Sequence, residues 1–148
     1  MISQIRSKRT EGGDQLTRQI IGCCFRVHRQ LGPGFPEKIY QAALVEGMAT
    51  ATLSVERERR FQVSFDDAPV GDFYVDLLVD HRVIVEVKAV TGTMPRVFEA
   101  QLLAYLKAAQ LPVGLLVNFG NVSCQVKRVS FSALSAKSMM KSAESNPA

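Results

Sequence analysis

Between Phe73 and Val90 the hydrophobic period is two rather than 3.6. The run FYVDLLVDHRVIVEVKAV reads as two β-strands separated only by Asp80-His81-Arg82. So short a break commits the chain to an antiparallel hairpin, and a hairpin fixes which side chains share a face. A three-residue loop sets Val79 against Val83 and Leu77 against Val85, so Asp76 falls opposite Glu86. One face of the pair is then valine and leucine. The other gathers Asp76, Glu86 and Lys88 around Leu78 and Ile84. A two-residue loop would scatter that set, so the register is itself an expectation.

The rest of the chain supplies helices and further strands around this hairpin. Asp14 suits the cap of a helix running to about Gln30, on which Leu16, Ile20, Val27 and Leu31 recur at helical spacing. Gly32-Pro33-Gly34 ends it, and Pro36 opens a second helix reaching about Ala51, with Gly47 as a weak point. Phe61, Val63 and Phe65 alternate as a strand, and Asp66-Asp67-Ala68-Pro69 turns the chain back. A third helix spans about Pro95 to Ala109; VGLLVNF and the segment from Ser123 to Phe131 are two more strands. The order is α-α-β-β-β-α-β-β, an α/β fold with a mixed β-sheet flanked by helices. One domain over 14–131 is expected, with flexible polar tails at 1–13 and 135–148.

Composition narrows the function classes only a little. No apolar run approaches the roughly 20 residues of a membrane helix, and no apolar segment follows the basic N-terminus as in a secretory signal. Cys23, Cys24 and Cys124 lack metal-ligand spacing and read as small core residues in a reducing, cytoplasmic setting. A net charge of +4 is compatible with a polyanionic partner without requiring one.

The chemistry lies in the acidic hairpin face. Opposed carboxylates repel unless a cation sits between them, and hard oxygen donors suit Mg²⁺ or Mn²⁺. A neighbouring lysine can orient the attacking water and offset charge developing on a phosphate. The competing reading is an exposed sheet face with an ordinary cross-strand lysine–carboxylate pair. On the third helix Gln101 and Tyr105 are four apart, so they share a face and can reach toward one site. Glu37 lies in the first turn of the second helix, one turn before Tyr40, where interaction with the helix dipole would also explain it.

Within LGPGFPEKIY, residues 31–40, stands Gly34-x-x-Glu37-x-x-Tyr40. This resembles the signature of the GxxExxY proteins, a prokaryotic family of the PD-(D/E)XK nuclease superfamily. The likeness continues through YVDLLVD, VIVEVKAV, EAQLLAYL and VGLLVNFG, from about Ile20 to Phe131. It implies a restriction-endonuclease-like core. Asp76, Glu86 and the backbone carbonyl of Val87 would ligate Mg²⁺ or Mn²⁺, with Glu37 completing the shell and Lys88 as the catalytic lysine. Gln101 and Tyr105 resemble the Q-x-x-x-Y helix motif of the RecB-like branch, which positions substrate or the lysine. Tyr40 and His28 would contact substrate, although a helix-end histidine needs no such role. Pro36 replaces an aliphatic residue, and Val75 stands where the superfamily name has proline.

The function implied is a metal-dependent nuclease acting on DNA ahead of RNA. The alternative is a non-catalytic nucleic-acid-binding or regulatory module, in which Arg57, Arg59, Arg60, Lys127 and Arg128 would matter more than the acidic face. A third reading has the chain working as a homodimer or with another protein partner, because so short a chain encloses little of a duplex.

Overall fold

The computed structural model describes residues 2–132, with side chains from residue 15 onward; 135–148 lie outside the described residues. The elements are α1 (Ile2–Leu31), α2 (Glu37–Thr50), β1 (Val55–Phe65), β2 (Ala68–Val79), β3 (Val83–Lys88), α3 (Val97–Ala109), β4 (Val113–Asn118) and β5 (Gln125–Ser130). Their order is the one read from the sequence. Helix α1 is longer than expected: Asp14 lies inside it rather than capping it. Gly12 and Gly13 disfavour a helix by about 1 kcal/mol each, and no proline interrupts the stretch.

The strands form one mixed sheet in the order β1-β2-β3-β4-β5. β3 and β4 pair in parallel and the other neighbours antiparallel. α3 makes the crossover that a parallel pair requires. Among the described residues no helix is long and apolar enough to cross a membrane.

The β2–β3 hairpin has the register derived from its loop, with Leu77 opposite Val85, Leu78 opposite Ile84 and Val79 opposite Val83. Asp80 and His81 both take left-handed backbone, and the Arg82 N–H closes the turn on the Val79 carbonyl at 3.0 Å. Two apolar layers sandwich the sheet. Ile20, Cys24 and Val27 of α1 and Leu44 and Met48 of α2 pack on Leu77, Val79, Val83, Val85 and Val87. Leu102 and Leu106 of α3 pack on Val75, Leu78, Ile84 and Leu116. Gly47, weak as a helix former, has a packing role: a Cβ there would come within 2.6 Å of Cys23 Sγ.

Strict alternation fails at one place. Val75 belongs to the α3 layer, whereas Leu77, of the same parity, belongs to the α1/α2 layer. β2 therefore exchanges faces between these residues. Its neighbour does the same: Val55 packs toward α1/α2 and Phe61 toward α3. Between them Glu58 has φ +49°, a conformation rare for an ordinary strand residue. Asp76 and Glu58 thus sit where the hairpin rolls from one layer to the other.

Candidate active site

Beyond the Leu77–Val85 pair the β2–β3 backbones part, and two carboxylates take over the hydrogen bonding. The Asp76 N–H donates to Glu86 Oε1 at 3.0 Å, and the Val87 N–H donates to Asp76 Oδ2 at 2.8 Å. Each acid is anchored to the other's strand by one oxygen. Rigid strands hold both, so the pair is already in place.

The electrostatics of the pair are unfavourable without a cation. Glu86 is only 5% exposed. Burial, and then the charge of Asp76, push its carboxyl up to about 8. Asp76 is half-buried, and burial raises it too, against the Val87 N–H and the charge of Lys88. Burial of both carboxyls and their mutual repulsion oppose two full negative charges on the pair. Two hard oxygen donors that must be deprotonated together fit a divalent cation such as Mg²⁺ or Mn²⁺. Among the described residues no three acidic, histidine or cysteine side chains converge as a ready-made metal cage.

Three further groups border the pair. Lys88 lies two residues along β3, its Nζ 4.3 Å from the centre of the Phe98 ring on α3. Tyr105 is close enough for burial, and then the charges of Glu86 and Asp76, to raise its hydroxyl above the usual range. Its ring is stacked on Phe73 at 4.4 Å, Phe73 on Phe61 at 5.5 Å, and the Arg59 guanidinium lies 4.9 Å above Phe61. Glu37, at the start of α2, adds its charge to those opposing ionisation of Glu86.

A protein-family model described as the PD-(D/E)XK nuclease superfamily matches residues 14–129, most of the chain. The chain belongs to the PD-(D/E)XK nuclease superfamily. Glu86-Val87-Lys88 stands in the order the superfamily's name spells, and the mixed sheet with its three helices is consistent with a restriction-endonuclease-like fold. A solved structure described as "Crystal structure of SSO0001" superposes with a TM-score of 0.52 at 13% identity, over 70% of this chain and 55% of that one. That likeness is one of fold, and the chain spans about half the length of that structure. None of the curated proteins searched matches the chain.

As a PD-(D/E)XK chain, the protein divides its singled-out residues into two groups. Asp76 and Glu86 are bonded to one another's strands, Lys88 and Tyr105 interact electrostatically with both, and Glu37 acts on Glu86 through its charge alone. Gln101 is exposed one turn before Tyr105. Tyr40 and His28, expected at the substrate, are buried instead. Tyr40 is fully enclosed and donates its hydroxyl to the Gly32 carbonyl at 2.6 Å. His28 is 8% exposed, with Nε2 2.8 Å from the Asn121 carbonyl oxygen.

Sequence reasoning passed over Glu58, whose charge acts on Asp76. The Asp66-Asp67 turn, with both φ positive, pairs Phe65 with Ala68. That spacing alone would set Glu58 against Val75. A bulge after Pro69 shifts the register by one, so Arg57 and Arg59 pair with Leu77 and Val75 and Glu58 flanks Asp76. No residue pattern announced the bulge. The basic residues of the alternative reading are largely engaged: Arg59 with Glu56, Arg60 with Asp72, Lys127 with Glu99, and Arg57 with Gln41.

Proposed function

We propose that the chain is a divalent-metal-dependent nuclease that hydrolyses phosphodiester bonds, DNA ahead of RNA, and that it falls in the GxxExxY group of the RecB-like branch. One observation carries the reading. A glutamate almost removed from water is held beside an aspartate, and the strand positions next to each of them are valine and leucine. Burying two unpaired acids is costly, and a cation offsets that cost directly. Asp76, Glu86 and the Val87 carbonyl would hold Mg²⁺ or Mn²⁺, with Glu37 completing the set. The bound cation would supply Lewis-acid stabilisation of charge on the phosphate.

The remaining work falls to the chain. Glu86 gives up its proton as positive charge arrives. Lys88, aligned along β3, offsets charge developing on the phosphate and orients the attacking water. Tyr105, fixed by its ring stack, offers a hydroxyl donor beside the acids, and Gln101 reaches the same substrate from the turn before. A homodimer or a second protein partner would supply the surface needed to enclose a duplex, and cytoplasmic location belongs to the same reading.

The experiment is cleavage of labelled single-stranded, duplex and forked DNA and of RNA, with Mg²⁺, Mn²⁺ or EDTA, beside Glu86→Ala. Cutting that needs the metal and disappears in the variant is the expected result. Folded protein that binds neither metal and cuts nothing would replace this reading with the non-catalytic module, whose DNA binding would be strongly salt-dependent.

A further inference from the structure

Tyr40 is the last residue of the Gly34-x-x-Glu37-x-x-Tyr40 run, yet it is sealed from solvent. Its hydroxyl does two things. It donates to the Gly32 carbonyl at 2.6 Å and accepts the Phe35 N–H at 3.2 Å. Those two groups bracket the loop from Gly32 to Phe35, in which Gly32 and Gly34 have φ +67° and +115°. Positive φ at both positions favours glycine, so this is a backbone shape that other residues would resist. Pro36 then fixes the entry, and Glu37 is the first residue of α2.

The tyrosine ring ties the same loop to the catalytic strand. It lies flat on Phe119, with centroids 4.5 Å apart and planes within 5°. The Phe119 N–H donates to the Lys88 carbonyl at 2.8 Å. From the Tyr40 side chain, bonded to both ends of that turn, to the peptide of Lys88 there is therefore one ring stack and one hydrogen bond. His28 stacks on Phe119 at 6.2 Å and is bonded to the Asn121 backbone, and the Asn121 side-chain amide both donates to and accepts from the Gly92 backbone. Asn118 holds Val90 in the same way. The segment leaving Lys88 is thus clamped from β4 and the turn after it.

We infer that Tyr40, through Phe119, is the positioning residue that holds Glu37 in register with Glu86 and Lys88. The inference rests on the reading that Glu37 completes the acidic site. An ordinary core tyrosine needs one partner for its hydroxyl; this one pins both ends of the loop that delivers the glutamate. Tyr40→Phe keeps the ring stack and releases the loop. Phe119→Leu keeps the hydroxyl and removes the stack. Both act on Glu37 without touching a carboxylate.

The test is a double-mutant cycle read as Mn²⁺ affinity, by calorimetric titration of the full chain freed of metal. Tyr40→Phe and Glu37→Gln are each expected to weaken Mn²⁺ binding by about tenfold, the scale of groups that orient ligands. The double variant is expected to bind no more weakly than Glu37→Gln alone, and Phe119→Leu to behave like Tyr40→Phe. Amide exchange at Phe35 is expected to speed up in Tyr40→Phe and to stay slow in Glu37→Gln. Losses that multiply in the double variant, or an unchanged affinity in Tyr40→Phe, would overturn the positioning role while leaving the metal site standing. Folded wild-type protein that takes up no Mn²⁺ would overturn both.

Discussion

The two motif-bearing stretches of this chain are built on opposite terms. On β3, together with Asp76 across the hairpin, the motif residues are the groups to which the proposed chemistry is assigned, standing on rigid strands at the point where the ladder opens. In the stretch from Gly32 to Tyr40, Glu37 alone is proposed to take part in the chemistry. The two glycines shape a turn, and Tyr40 fastens it from inside the core. Equal prominence in the sequence hides this difference. A motif records what a site needs, and a site needs its supports as much as its acids.

The largest effect that separates the two stretches is the pH dependence of stability. Glu86 has a folded value of about 8 against an ordinary 4.5. Its favourable contribution is complete below about 4.5 and is lost as pH rises through 8, because the folded state holds the proton more tightly. Metal-free protein is therefore expected to melt several degrees lower at pH 8.5 than at pH 5, and Glu86→Gln to flatten that slope. Tyr40→Phe should shift the whole curve down without changing its slope, since no charge is involved. Thermal melts across this range are the check. A steep slope persisting in Glu86→Gln would break the contrast.

A smaller effect sharpens it. Glu58 pays for its place with a left-handed backbone costing about 1–2 kcal/mol. Glu58→Gly removes that strain and loses about 0.5–1 kcal/mol of chain entropy. The expected net is a gain of about 0.5 kcal/mol in stability in urea titration. A clear loss would show that the glutamate side chain supports the fold at this crossing of faces.

Much of the β2–β3 stretch was legible because strand periodicity and a three-residue loop are local facts. They determine the register, and the register brings Asp76 to Glu86. The element order followed from equally local signals: Gly-Pro-Gly, the first-turn proline, and the change of period at β1. What could not be read depended on distant partners. Phe119, the ring beneath Tyr40, is 79 positions away, and nothing in either segment marks the pair. The buried place of His28 depends on Asn121 in the same way. The exchange of faces between Val75 and Leu77 coincides with an unusual φ at Glu58 on the neighbouring strand, and a bulge further along the pair brings Glu58 beside Asp76. Parity assigns a face only while a strand remains regular.

The most direct measurement is single-turnover cleavage of labelled DNA by wild-type, Glu86→Gln and Lys88→Met proteins, each shown to be folded, with Mn²⁺ titrated from zero. If the buried acid pair and its lysine perform the hydrolysis, wild-type cutting rises with metal from a zero baseline. Each variant then falls by about a thousandfold or more at every metal concentration. Variants that cut as fast as wild type, or cutting that persists in EDTA, would contradict it.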